Sequence, residues 1–129
     1  MDAEATVRAY YAALRAGDPL SPYFAARDDL VKVAISQRHV GYDAVADALR
    51  EQTRTTRDWA VDSRDLRVVE RGPVAWFDDS VTLAWTQENE RRRFETRWSG
   101  VLETVGDDAD DGASPWRFVG MHVSAPRDL

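Results

Sequence analysis

The first half of the chain has the hydrophobic spacing of amphipathic helices. Four apolar residues recur at intervals of three and four, which aligns them on one helical face: Val7, Tyr10, Tyr11 and Leu14. The pattern predicts a helix over Ala3–Ala16, with Asp2 able to cap its start and Gly17 able to end it. The first element is therefore a helix with an apolar face for a core.

Three further elements precede residue 59. Ser21-Pro22 is typical of a cap followed by a first-turn proline, so a short helix is predicted there, carrying Tyr23 and Phe24. The valine-rich run 30–35 predicts a short strand. Gly41 opens a second long helix over about residues 42–54.

From residue 59 onward the apolar period changes to two. Segments rich in β-branched and aromatic residues predict four strands, over residues 59–69, 74–85, 92–105 and 116–124. The turns between them are predicted at 71–73, at 87–90 and in an acidic segment at 106–115. Helices followed by hairpins indicate an α+β fold in which helices lie on one face of a curved antiparallel sheet.

Composition narrows the class of protein. The chain has 129 residues, which suits one domain over residues 1–129, and it has no cysteine. The N-terminus has no apolar signal core and no stretch is long enough to span a membrane, so we expect a cytoplasmic protein with no membrane partner.

The net charge of −6 comes from 16 Asp and 7 Glu set against 16 Arg and one lysine, Lys32. Many Asp and almost no Lys are typical of proteins from a salt-rich cytoplasm. The codon bias of a GC-rich genome is the alternative explanation. An acidic chain repels nucleic-acid phosphates, so nucleic acid is not an expected partner.

The closing segments carry a family resemblance. Residues 96–103 (TRWSGVLE) and 116–124 (WRFVGMHVS) resemble the last hairpin of SnoaL-like domains in the nuclear transport factor 2-like superfamily, and residues 75–78 (AWFD) match the preceding strand. The resemblance implies a cone-shaped sheet around the helices, an apolar small-molecule pocket and a homodimer through the outer sheet face. It implies no cofactor and no single reaction, because the superfamily includes isomerases, cyclases, dehydratases and non-catalytic binding proteins.

Strand pairing predicts a polar anchor in that pocket. If residues 87–90 form the hairpin tip, Asp78 lies opposite Arg97 or Ser99, on the same faces as Trp76. The family resemblance suggests that these faces are concave. Arg97 would then bind an anionic or carbonyl oxygen while Asp78 acts as a base or orients the ligand. The alternative is an ion pair that only satisfies itself.

His122 is the other catalytic candidate, because a histidine imidazole can act as a general acid or base near neutral pH. If Met121 and its alternating neighbours line the cone, however, His122 points outward to an interface. In that case four apolar residues would form the outer face: Trp98, Leu102, Trp116 and Phe118. Tyr11 and Phe24 are further candidates for the pocket wall, with core packing as the alternative. His39 lies far from His122 in the sequence, so no metal site is predicted.

Three functions remain open from the sequence. The first is a pocket protein that binds a small molecule. The second is an isomerase, cyclase or dehydratase that transfers protons on a carbonyl-containing ligand. The third is a dimeric assembly module with a vestigial pocket.

Overall fold

A computed structural model describes residues 1–105, 114–127 and 129, so most of the predicted acidic turn lies outside the described residues. Helix α1 spans Ala3–Ala16 and helix α2 spans Tyr42–Thr55, with one turn of 3-10 helix at Ser21–Tyr23 between them. The structure confirms both predicted helices: α1 has the predicted bounds, and α2 is one residue longer than predicted. The Asp2 carboxylate accepts the first-turn amide of Ala5 at 2.7 Å, and Gly17 ends α1 with a left-handed φ of 74°.

Seven strands form one sheet: β1 Val31–Val33, β2 Arg38–Val40, β3 Thr56–Ser63, β4 Arg67–Arg71, β5 Val74–Gln87, β6 Glu90–Thr104 and β7 Trp116–Ser124. The strand order is β2-β1-β7-β6-β5-β3, and β4 pairs with the other end of β5. All pairs are antiparallel except β1 with β7. The sheet is therefore mixed: the strands from residue 59 onward pair antiparallel, as predicted, and β1 adds one parallel pair.

The strand predicted over residues 59–69 is two strands, because the chain bends at residues 64–66. Ser63 lies opposite Val81 and Arg67 lies opposite Asp78, so the bend contains one residue more than the segment of β5 that it faces. The carboxylate of Asp79 accepts the backbone N–H of Asp65 at 2.9 Å and holds the bend in place. This bond links two distant segments, so a local pattern does not reveal it.

The core lies between α1 and one face of the sheet, which we call the inner face. Tyr10 of α1 is at its centre and meets four aromatic rings edge-on at centroid distances between 5.4 and 6.1 Å. These rings belong to Tyr23, Phe24, Trp98 and Phe118. The opposite, outer face of the sheet carries the exposed residues of β5 and β6.

A bulge in β7 decides which of its side chains face the core. Val101 pairs with Gly120 and Leu102 pairs with Phe118, so Val119 is an extra residue and the alternation changes there. Phe118 and Met121 consequently both point inward. The prediction of an outer apolar face is therefore wrong, since all four of its residues are buried: Trp98, Leu102, Trp116 and Phe118.

Gly100 lets β6 approach β7 closely. A Cβ atom at this position would lie 2.5 Å from the carbonyl oxygen of Gly120 and 2.7 Å from Cε1 of Phe77. Any larger residue would have to displace backbone as well as a core ring. The glycine of the SGVL motif thus has a packing role.

Helices in the described part of the chain fall short of the length and apolarity that a membrane span requires.

Candidate active site

A cavity of about 1080 Å³ opens between α2 and the inner face of the sheet. Its walls are one side of α2, the loop joining β1 to β2, and the ends of β3 and β5 near the 87–90 turn. Tyr10 and Leu14 of α1 also line it. The cavity borders the aromatic core, and Tyr10 and Trp98 belong to both.

Three tryptophans give the cavity an aromatic wall. The rings of Trp59 and Trp85 are stacked, with centroids 4.7 Å apart and planes 18° apart. Trp59 donates its indole N–H to Oγ1 of Thr56 at 2.8 Å, and Trp98 donates to Oγ1 of Thr96 at 3.0 Å. Because these N–H groups already have acceptors, the rings present apolar surface to the cavity.

Lys32 brings a buried amine to this cavity. Lys32 is the middle residue of β1, where it pairs with His39 of β2 on one side and with Met121 of β7 on the other. The residue is only 8% exposed. Within the described ranges its ammonium group has no hydrogen-bond acceptor and no carboxylate partner. Burial lowers the pKa of Lys32 to about 8, because a charge is poorly solvated in the interior.

Tyr10 also lines the cavity and carries a second polar group, its hydroxyl. It makes no hydrogen bond to any residue that the structure describes, and burial raises its pKa well above the ordinary tyrosine range. Tyr10 therefore stays neutral and can donate a hydrogen bond. The cavity thus combines an apolar aromatic wall with an amine and a hydroxyl.

The rim of the cavity is charged. Its titratable residues are His39, Asp47, Glu51, Arg54 and Glu88. Glu51 forms an ion pair with Arg54, and Asp47 forms one with Arg50, so both acidic residues of α2 have partners on their own helix. No three His, Asp or Glu side chains are grouped to hold a metal ion within the residues that the structure covers.

The predicted back wall of the pocket lies on the outer face of the sheet, so its placement is corrected. Trp76 is 45% exposed, and Asp78, Arg97 and Ser99 are exposed as well. Asp78 lies opposite Ser99, and its carboxylate binds Arg67 at 3.1 Å rather than Arg97. The residues that alternate with these positions along β5 and β6 are buried, and they form the inner face of the sheet.

His122 also points outward and is exposed. The register brings Asp78, Ser99 and His122 into one row across β5, β6 and β7, while Arg97 lies in the neighbouring row opposite Ser80. None of the predicted catalytic residues lines the cavity. A catalytic role for Asp78, Arg97 or His122 stays a prediction, and it would apply to the outer face.

The other predicted ligand contacts are buried in the core. Tyr11 donates its hydroxyl to Oδ2 of Asp79 at 3.0 Å, so that group is already engaged. Phe24 packs on Phe118 at 5.4 Å, and Met121 faces inward beside Lys32 in register. The cavity lining does not include these three predicted residues, Tyr11, Phe24 and Met121.

Lys32 was missed as a site residue, although the sequence carries a signal for it. Lys32 interrupts the apolar run 30–35. It lies two residues after the fully buried Leu30, so the period of a strand puts both side chains on the same, buried side. A single lysine among 17 basic residues, placed on the buried side of a strand, is a marked exception to the surface preference of this residue type.

The sequence profile of the SnoaL-like domain family matches residues 3–128, nearly the whole chain. The chain is a SnoaL-like domain. A comparison with curated protein sequences gave no match.

Solved structures agree with the α+β cone fold of this SnoaL-like domain. A nuclear transport factor 2-like superfamily protein from Salmonella enterica superimposes with a TM-score of 0.80 at 14% identity, covering 96% of this chain and 88% of its own. A ketosteroid isomerase-like protein from Erwinia carotovora gives 0.74 at 17%, covering 97% and 94%. A protein from Streptomyces avermitilis, proposed by its name to be a dehydratase, gives 0.80 at 14%, covering 95% and 93%. At these identities the likeness shows the fold alone.

Proposed function

We propose that this SnoaL-like domain binds a small, largely apolar molecule with a flat ring in the cavity between α2 and the inner face of the sheet. The observation that carries the proposal is the aromatic wall, whose indole N–H groups at Trp59 and Trp98 are bonded within the protein. The volume of about 1080 Å³ is just above the usual range for ligand sites, roughly 300–1,000 Å³. A flat apolar ligand would cover these rings without leaving their indole N–H groups unpaired.

The neutral fluorescent probe N-phenyl-1-naphthylamine tests this proposal. We expect one molecule to bind per chain with increased fluorescence. Trp59→Ala and Trp85→Ala should each weaken binding by roughly tenfold, since each removes an aromatic contact. Trp76→Ala is the matched control, because Trp76 lies on the outer face. Equal binding by the wild type and both cavity variants, or an equal loss in the control, would contradict the proposal.

A second candidate is proton-transfer catalysis on a carbonyl-containing ligand, as in an isomerase, cyclase or dehydratase. It is favoured by the amine of Lys32, whose pKa is lowered to about 8, in the same cavity as the neutral hydroxyl of Tyr10. The free amine would remove a proton beside the carbonyl, and the hydroxyl would donate to the developing oxyanion.

This candidate predicts exchange of α-protons for deuterium when cyclic ketones are incubated with the protein in heavy water. We expect nuclear magnetic resonance to detect the exchange and Lys32→Met to abolish it. Equal exchange rates in the wild type and in this variant would exclude Lys32 as the base.

We also propose a homodimer through the outer sheet face. Trp76 and Val101 are 45% and 38% exposed and lie directly opposite each other on β5 and β6. Exposed apolar pairs of this kind favour a protein partner. We expect light scattering to give a dimer for the wild type and for the α2 control Arg50→Ala, and a monomer for Trp76→Asp. A monomeric wild type, or a dimeric Trp76→Asp, would refute this interface.

A further inference from the structure

Lys32 differs from the other basic residues that the structure describes in being buried, and it has no acidic partner. Every ion pair in the described part of the chain is made by an arginine, and all of them lie on the surface. Lys32, in contrast, is only 8% exposed and lines the cavity. A buried cation is costly unless an anion compensates it, so the protein keeps a charge that it does not itself neutralise.

The surroundings of Lys32 favour an anion that enters the cavity. The strand that carries it is held on both sides, by β2 and by β7, so the base of the side chain is fixed. The titratable groups on the elements around the cavity are Tyr10, His39, Asp47, Glu51, Arg54 and Glu88. Asp47 and Glu51 are bound by arginines of α2, and their side chains are 74% and 60% exposed, so they belong to the solvent side of the rim.

We propose that Lys32 binds an acidic group of the ligand, so that the cavity takes aromatic or alicyclic molecules carrying a carboxylate, a sulfonate or a phenolate. This inference rests on the proposed binding function and specifies its ligand class. The acidic group would accept a hydrogen bond from the ammonium while the rings contact the tryptophans. A charge-assisted hydrogen bond in an apolar surrounding is stronger than one in water.

Two probes with one skeleton test the proposal. 8-Anilinonaphthalene-1-sulfonate differs from N-phenyl-1-naphthylamine by a single sulfonate group. The chain has a net charge of −6 and repels anions at long range, so a preference for the sulfonate requires a local cation. We expect the wild type to bind one sulfonate probe per chain at least tenfold more tightly than the neutral probe, and this preference to fall as the pH rises above about 8.

Lys32→Met keeps most of the length of the side chain and removes its charge. We expect this variant to lose the sulfonate preference, a change of roughly tenfold or more, while it binds the neutral probe within about twofold of the wild type. Lys32→Arg should retain part of the preference. Arg54→Met removes another cation that lines the cavity and should keep the sulfonate preference. The matched control is Arg71→Met, at an exposed arginine outside the cavity lining, and it should behave like the wild type.

The outcomes separate the two proposals. Binding of the neutral probe without a sulfonate preference overturns the role of Lys32 and leaves the binding function standing. A preference that survives in Lys32→Met but disappears in Arg54→Met assigns the anion to the rim and also overturns it. If neither probe binds the wild type, the proposed function fails and this inference fails with it.

Discussion

The hydroxyl of Tyr11 donates a 3.0 Å hydrogen bond to Oδ2 of Asp79, which joins α1 to β5 in the interior of the protein. Asp79 is only 3% exposed, and it also accepts bonds from the Ser63 hydroxyl at 2.6 Å and from the Asp65 amide at 2.9 Å. One carboxylate thus connects a helix, a strand and the bend between β3 and β4. Its three donors explain how the protein holds an acidic group in the core.

Tyr11→Phe should destabilise the protein, because it leaves the buried Asp79 carboxylate with one donor fewer. A hydrogen bond to a charged group contributes about 1.5–3 kcal/mol, and we expect a loss of that order in the free energy of unfolding. Urea unfolding followed by circular dichroism measures it. Tyr23→Phe is the control, since its hydroxyl makes only a 3.4 Å bond to the carbonyl of Ala9. Equal stabilities for both variants would show that the Tyr11–Asp79 bond contributes little.

Lys32→Met should raise the stability of the unliganded protein. In the folded state burial lowers the pKa of Lys32 from 10.5 to about 8, so below pH 8 the folded protein carries a charge that the unfolded chain solvates better. Between about pH 8 and 10.5 the unfolded chain binds the proton and the folded protein does not. The free energy of unfolding of the wild type should therefore rise with pH in this window, by on the order of 1–3 kcal/mol.

The measurement is chemical unfolding of both proteins from about pH 7 to pH 9.5, below the point at which the tyrosines of the unfolded chain ionise. The wild type should approach the stability of Lys32→Met as the pH rises, and the variant should show no such rise. A variant less stable than the wild type at neutral pH would mean that the ammonium has a stabilising partner.

Gly100→Ala should cost about 1–3 kcal/mol of stability, because the new methyl group would overlap the carbonyl oxygen of Gly120. Gly120→Ala is a matched control on the adjacent strand. A Cβ there meets its nearest atom, the carbonyl oxygen of Val31, at 4.0 Å. Thermal unfolding should separate the two alanine variants. The packing role of Gly100 would be contradicted if both melted at the temperature of the wild type.

The acidic composition predicts a dependence on salt. If the excess of Asp over Lys is an adaptation to a salt-rich cytoplasm, the protein should be unfolded at about 0.1 M potassium chloride and folded at multimolar concentrations. Codon bias alone predicts a protein that is folded at both concentrations, with only the modest gain in melting temperature that screening gives any chain of net charge −6. Calorimetry at both salt concentrations distinguishes the two explanations.

Helices and hairpins could be predicted because their signals are local. The spacing of apolar residues and the capping pair Asp2 and Gly17 define α1. The polar tip at residues 87–90 narrows the partner of Asp78 to Arg97 or Ser99, and in the structure it is Ser99. The inner face was assigned wrongly for a physical reason. Both Trp76 and Phe77 are aromatic, so the alternation along β5 has no clear polar side, and only packing against α1 selects Phe77.

The sequence by itself determined the α+β class, the long elements and the SnoaL-like family, since each depends on neighbouring residues or on motif order. Only the tertiary structure decided the site. The parallel pairing of β1 with β7, two segments far apart in the chain, puts Lys32 beside Met121. The bulge at Val119 turns Phe118 inward, and the fold leaves His122 and Asp78 on the outer face. These outcomes depend on long-range pairing and on competition for the core, which local sequence patterns do not encode.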